Sequence, residues 1–232
     1  MMFKDDIEKL LNIQLTLEQQ KMFDVYYQYL IEYNKITNLT RIVDEIEVYY
    51  KHFYDSLTLA KTINFDQIQT ICDMGSGAGF PSIPLKIMFP YLKIAIVDSL
   101  NKRIIFLKNL MEKLKFIDVD LVHDRVESYA LLNQNKFDLV TARALGHMSL
   151  ITEMGLPMVK NSGYFIGLKA QNYEEELKQS LNGIKILGGE VIDVKSFELP
   201  FSFGHRVHIV IKKIKQVKGY PRSFVMMTKK PL

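Results

Sequence analysis

From residue 68 onward, short apolar runs alternate with helical stretches, and this alternation constrains the fold more than any other feature of the chain. The runs are "IQTICDM", "LKIAIVD", "VDLVH", "FDLVTAR" and "GYFIGLK". Between them lie "PSIPLKIMF", "NKRIIFLKNLMEKLK" and "HMSLITEMGLPMV". Strands that are apolar throughout need cover on both faces, and helices interleaved between them supply it in a parallel sheet. The last two runs, "GEVIDVKSFELP" and "HRVHIVIKKIK", follow each other with no helix between and read as an antiparallel pair at one edge. The expectation is a mostly parallel seven-stranded α/β sheet. Residues 1 to about 65 read as helical instead. "LTLEQQKMFDVYYQYLIEYNKITN" places Leu17, Met22, Tyr26, Tyr29, Leu30 and Tyr33 at helical spacing behind a Thr16 N-cap, with Glu18 and Gln19 in the first turn. "YYKHFYDSLTLAK" reads as a further helix with Phe53, Leu57 and Ala60 on one face. The expected organisation is an N-terminal helical extension, 1–66, followed by one α/β domain, 67–232. A length of 232 residues and a hydrophobic content of 48% suit it.

In an open parallel sheet the ligand sits at the carboxyl ends of the strands, where strand order reverses. "DMGSGAGFPSIP", residues 73–84, directly follows the first strand. It carries Asp73, Gly75, Gly77 and Gly79. The dinucleotide fingerprint needs a glycine three residues after the second one, and Phe80 stands there. A phosphate-cradling P-loop fails too, because no Gly-Lys-Ser/Thr follows. What remains is D-x-G-x-G-x-G, the loop of the S-adenosylmethionine enzymes, where bare backbone approaches a methionine moiety and a ribose. The second strand ends in Asp98. Its carboxylate fits two roles, acceptor for the ribose hydroxyls or N-cap of the following helix. The third strand ends in "HDRVES", where backbone near Val126 and Glu127 can read an adenine edge. The fold expected is therefore the Rossmann-like class I S-adenosylmethionine-dependent methyltransferase fold.

The chain has one cysteine, Cys72. That excludes an internal disulfide and a thiol-based metal site and fits a reducing cytoplasm. "MMFKDDIEKL" has acidic residues where a signal peptide needs a basic patch, and no apolar run is long enough to cross a bilayer. His123, His147, His205 and His208 lack metal-ligand spacing, so no metal is expected. The net charge of +4 hides an asymmetry. After Glu198 come Arg206, Lys212, Lys213, Lys215, Lys218, Arg222, Lys229 and Lys230 and no acidic residue. Such a tail suits a polyanion partner or a solvated basic edge.

"NKITNLT", "HFYDSL", "DMGSGAGFPSIPLKI", "VDSLNKRIIFL", "HDRVE", "FDLVTARAL" and "GYFIGLKA" occur in order between about residues 34 and 170. In this they resemble the bacterial ribosomal small subunit methyltransferase G family. The resemblance implies methyl transfer from S-adenosylmethionine to N7 of a guanine, guanine 527, in 16S ribosomal RNA of the small subunit. It also implies cofactor contacts at Gly75, Phe80, Val126, Glu127 and Arg143, with Asp98 matching the ribose-binding acid of the wider class. A monomer without membrane contact is expected. One departure stands out: after Tyr-Pro-Arg the family has a basic, Gly- and Pro-containing segment, whereas here "SFVMMTKKPL" follows; Tyr220, Pro221, Arg222 and the terminal "KKPL" are kept, but the middle is apolar. The change bears on how residues 223–228 meet RNA and is expected to leave the cofactor site untouched.

The implied chemistry needs little from side chains. Guanine N7 carries a lone pair and no proton, so it needs no base. Cys72 lies inside a strand and reads as packed, and no "NPPY" or "DPPY" tetrad marks amino methylation. Arg125 and Arg143, at the ends of the third and fourth strands, are the candidates for positioning the substrate, since arginine pairs with phosphate or with guanine O6. The alternative for both is an ion pair with Asp124 or Glu127. His52, Asp55 and Lys169 lie in the family-like motifs, with a His52–Asp55 pair and a surface lysine as the plainer readings. The tyrosines from Tyr26 to Tyr33 suit either base stacking or core packing. Competing functions are a small-molecule or protein methyltransferase, a non-catalytic RNA-binding module, and a dinucleotide oxidoreductase.

Overall fold

A computed structural model describes residues 2–171 and 173–232. Met1, at the start of the expected helical extension, and Asn172 lie outside the described residues. The helices that open the chain are α1 (Met2–Leu11), α2 (Leu17–Thr37), α3 (Glu45–Val48) and α4 (Asp55–Leu57). The Thr16 side chain accepts from Gln19 N–H and the Gln19 side chain accepts from Thr16 N–H, a capping box that fixes the start of α2. Leu17 does not join the buried face as expected but is 74% exposed. It lies about two and a half turns from Tyr26, hence on the opposite side of the helix. The buried face is Phe23, Tyr26, Tyr29 and Leu30.

Between α3 and α4 the chain widens into a π-helical turn, Tyr49–Tyr54, and after α4 it tightens into a 3-10 turn, Thr58–Lys61. The regular helix expected over this stretch is therefore broken in pitch. Inserted π turns re-aim side chains and recur at functional sites; this one carries His52 and leads into Asp55.

The sheet contains β1 (Thr70–Met74), β2 (Lys93–Asp98), β3 (Val119–His123), β4 (Phe137–Arg143), β5 (Val159–Lys169), β6 (Gly189–Glu198) and β7 (His205–Lys213). Interleaved with them are α5 (Ser82–Met88), α6 (Asn101–Leu114), α7 (Val126–Leu132), α8 (Met148–Gly155) and α9 (Tyr173–Ile186), and α10 (Phe224–Lys229) ends the chain. Strand order is β3-β2-β1-β4-β5-β7-β6. β1 to β5 pair in parallel, and β7 runs antiparallel between β5 and β6. The expected edge pair is thus present, with the later strand inserted inside the earlier one. Order reverses between β1 and β4, which puts the switch point directly above the glycine loop.

Period-two alternation divides the core into two layers. Ile71, Ile94, Ile96, Ile166 and Val210 pack with Ile7, Phe23, Tyr26, Leu30, Phe53, Leu57 and the α6 residues Phe106, Leu107 and Leu110. Cys72, Ala95, Val97, Phe165, Ile209 and Ile211 pack with residues of α7, α8 and α9. The N-terminal helices therefore share with α5 and α6 the cover of one face of the sheet. Burial pushes the Cys72 thiol up, so it is an inert core group. Phe53 sits among the rings of Phe3, Phe23, Tyr26, Tyr49 and Phe80. Phe53→Ala should cost roughly 3–5 kcal/mol, measured by urea unfolding; a loss below 1 kcal/mol would show that the N-terminal layer is not part of the cooperative core.

Candidate active site

The loop after β1 is bare for separate reasons at its glycines. Gly75 has a φ of +67°, in the left-handed region, and its N–H donates to Val97 O at 2.8 Å. Gly79 has a φ of +100°, and a methyl group there would sit 2.7 Å from Ile83 and 2.9 Å from Leu107. It is the close-packing glycine that seats α5 and α6 against the loop. Gly77 N–H donates to Asp98 Oδ2 at 3.2 Å, so the ends of β1 and β2 are tied across the loop.

Asp98 sits two residues ahead of the α6 N-cap position, which Leu100 occupies, so it does not cap the helix with its side chain in the usual way. Its Oδ1 accepts from Leu100 N–H at 2.9 Å at the start of α6, while its Oδ2 faces the loop and takes Arg103 Nη1 at 3.0 Å. Asp73 is buried with its Oδ2 accepting from Ser82 Oγ at 2.6 Å and Ser82 N at 3.2 Å. Its Oδ1 has no hydrogen-bond partner among the described residues, and neither has the buried Ser76 Oγ three residues on. Burial raises the Asp73 carboxyl to about 7, against the opposing hydrogen bonds from Ser82.

Two cavities open at this end of the sheet. The first, about 270 Å³, is lined by Gly75, Val97, Asp98, Arg125, Val126 and Glu127, with Leu145 and Phe224 among the remaining walls. The second, about 430 Å³, is lined by His52, Asp55, Lys51, Arg143, Lys169 and Arg206, with Ala144 beside them. Consecutive residues, Ala144 and Leu145, thus face different cavities. Ala144 holds a φ of +52°, unusual for a residue with a side chain and the kind of backbone strain found at functional turns.

The second cavity is built around the buried Asp55. Its Oδ2 accepts from Arg143 Nη1 at 3.1 Å and its Oδ1 from Arg206 Nε at 3.0 Å. The expected His52–Asp55 pair is not formed, because the two arginines take the carboxylate. His52 instead stacks on Phe80, with ring centroids 4.5 Å apart, and its Nε2 is 3.0 Å from Thr40 Oγ1. Burial, reinforced by the Arg143 charge, lowers its pKa to about 3. The neutral ring lies with its Nδ1 3.5 Å from Arg143 Nη2. The segments "NKITNLT" and "HFYDSL" thus meet here through Thr40, His52 and Asp55. Lys169 is no free surface lysine: it pairs with Glu176 at 2.6 Å and donates to Gly146 O at 2.7 Å.

The expected site residues fall into three places. Asp98, Gly75, Val126, Glu127 and Arg125 share the first cavity. Arg143 lies in the second, so the two arginines are not brought together. Arg125 pairs with Glu127, one of the partners expected for it, and its guanidinium stacks on Phe224 at 4.6 Å. Arg143 pairs with neither Asp124 nor Glu127 but with Asp55. Phe80 lines neither cavity: it is buried between Tyr26 and His52, with the Arg143 guanidinium 5.0 Å from its ring. Tyr26 and Tyr29 are core residues, stacked on Phe80 and Phe106. Arg206, Lys51 and Phe224 were not singled out by sequence as site residues. The tail reaches the first cavity, since Phe224 stands in its wall. The basic tail is also less solvated than its composition suggests, since Lys213 is buried and donates to Leu156 O and Leu187 O.

The family model for rRNA small subunit methyltransferase G matches residues 19–206. The chain belongs to this family. It is 46% identical over 226 residues to the ribosomal RNA small subunit methyltransferase G of Acholeplasma laidlawii (strain PG-8A), across 97% of this chain and 98% of that one. It is 50% identical over 222 residues to the protein of that name from Staphylococcus saprophyticus, across 95% of this chain and 93% of the other. Among solved structures, a SAM dependent methyltransferase from Aquifex aeolicus superimposes with a TM-score of 0.59 at 16% identity, over 77% of this chain and 98% of that chain. M. jannaschii TYW2 in complex with AdoMet gives 0.54 at 15% identity, over 70% of this chain and 77% of that chain. The fold is the Rossmann-like one of S-adenosylmethionine-dependent methyltransferases. No helix among the described residues is long and apolar enough to cross a membrane.

Asp73 makes the site's stability pH-dependent. Its folded pKa lies above the unfolded value of 3.8, so the unfolded chain loses this proton first as pH rises. Stability from this group is full below pH 3.8 and falls until about pH 7. Asp73→Asn should therefore gain thermal stability relative to the parent as pH rises from 4 to 8, by an amount on the order of 4 kcal/mol or less. An unchanged difference across that range would mean that Asp73 is not the raised carboxyl.

Proposed function

We propose that this chain transfers the methyl group of S-adenosylmethionine to N7 of one guanine, guanine 527 by family resemblance, in 16S ribosomal RNA of the small subunit, and acts as a monomer. The observation that carries the choice of atom is the second cavity: it is basic, and among its described lining residues none is a free base. Its one carboxylate, Asp55, is engaged by two arginines. Its one imidazole is held neutral with a pKa of about 3, too weak to draw a proton from an amine. A lone-pair nucleophile such as N7 needs neither.

The first cavity fits the cofactor. Asp98 retains acceptor capacity for ribose hydroxyls once the half-exposed Arg103 yields, because a carboxylate has about four lone-pair sites. Val126 and Glu127 in the cavity wall suit an adenine edge. The unpartnered Asp73 Oδ1 and Ser76 Oγ are buried in the adjoining glycine loop, outside the cavity lining, and suit the polar end of a methionine moiety only if the loop opens to it. When bound, S-adenosylmethionine supplies an electrophilic methyl group on a sulfonium. Arg143, Arg206 and Lys51 hold RNA phosphate or guanine O6 in the neighbouring cavity. Asp55 orients both arginines, and Phe80 supports Arg143 from below. Placing two reactants in line is worth roughly 7–11 kcal/mol in favourable cases.

The deciding experiment combines labelled S-adenosylmethionine with small subunits lacking the modification and maps the label by N7-specific strand cleavage. One labelled guanine in 16S RNA is the expected result; label on another atom, or transfer without RNA, would overturn the reading. Asp98→Ala should weaken S-adenosylhomocysteine binding in calorimetry by roughly 10-fold or more, the scale of a charge-assisted hydrogen bond. Arg143→Lys should lower transfer by roughly 100-fold, since it keeps the charge but loses the fork. Equal losses of transfer and folding stability would assign Arg143 a structural role only.

A further inference from the structure

The C-terminal segment reaches back over the sheet and stops at the first cavity. Arg222 anchors it to Glu153, a carboxylate buried on α8, through Arg222 Nε to Oε1 at 2.7 Å, Nη2 to Oε2 at 2.6 Å and the backbone N to Oε1 at 3.1 Å. Gln134 Nε2 donates to Tyr220 O at 2.5 Å on the near side, and Met227 is buried in the core on the far side. Phe224 lies between these anchors, 38% exposed, and lines the cavity that also holds Asp98, Val126 and Glu127. The Arg125 guanidinium stacks on its ring at 4.6 Å and is itself paired with Glu127.

We propose that Phe224, presented by the anchored tail and steadied by Arg125, is the adenine-contacting wall of the cofactor pocket. This rests on the S-adenosylmethionine reading given above. A flat aromatic base gains from an aromatic face, and that gain is independent of the hydrogen bonds that read its edge. Because the segment is fixed on both sides of Phe224, little further ordering is needed when ligand binds. The apolar character of "SFVMM", which a phosphate-binding tail does not require, then has a physical role. Arg125 acts on this pocket through Phe224 and Glu127, while the second cavity keeps Arg143 and Arg206 for RNA.

The chain contains no tryptophan, so Phe224→Trp introduces a sole indole reporter. Titrating the full chain with S-adenosylhomocysteine should change its fluorescence saturably, with a midpoint equal to the dissociation constant of the same variant by calorimetry. Phe224→Ala should weaken calorimetric binding by roughly tenfold with little change in melting temperature without ligand. Parent-like affinity for Phe224→Ala, or a silent indole while calorimetry records binding, would overturn the proposal. An indole that responds to a 16S RNA fragment and not to S-adenosylhomocysteine would overturn it in favour of an RNA contact. If the parent chain itself binds no S-adenosylhomocysteine, the cofactor reading fails and takes this inference with it.

Discussion

The buried Asp55 carboxylate, shared between Arg143 and Arg206, is the interaction on which the site's shape depends. It joins the N-terminal helices to the end of β4 and the start of β7, partners 88 and 151 residues away. A buried ion pair is poor evidence of net stability, because removing each charge from water costs several kcal/mol. Its contribution here is positional. Both guanidinium groups are held at one cavity by the shared carboxylate. Above it, Tyr26, Phe80 and His52 form a stack, and Tyr26 donates to Ala78 O inside the glycine loop. The helices preceding the sheet are thereby part of the site that the loop opens.

Two chemically different cavities follow from one turn. At the end of β4, Arg143 and Ala144 face the basic cavity and Leu145 faces the cavity beside Asp98. The left-handed backbone at Ala144 allows adjacent residues to face apart. The same turn lays Leu145 against Gly75, whose φ of +67° already disfavours a side chain. Among its described lining residues the basic cavity has no available base, and the other presents the Asp98 carboxylate. That division suits a reaction whose demands are alignment and charge placement.

Much of this was legible in the sequence. The strand and helix alternation, the loop after β1, the Thr16 cap and the carboxylate at the end of β2 all rest on local patterns with a short physical range. Where reading failed, the missing term was long-range. Leu17 belongs to the correct helix but to its outer side. His52 and Asp55 are three residues apart and looked like partners, yet distant arginines compete for the carboxylate and an aromatic stack takes the ring. Lys213 counted as tail charge, although its ammonium is buried against carbonyl oxygens of Leu156 and Leu187, and burial lowers its pKa to about 8.

By itself the sequence determined the strands and helices of the sheet and a loop suited to S-adenosylmethionine, because hydrophobic period and glycine spacing act through neighbours along the chain. Only the tertiary structure decided how the charged residues divide. It placed Arg125 with Phe224 beside Asp98, Arg143 with Arg206 around Asp55, and the tail in the wall of the first cavity. Electrostatic pairing and ring stacking depend on distance in space, and chain separation carries almost none of that information.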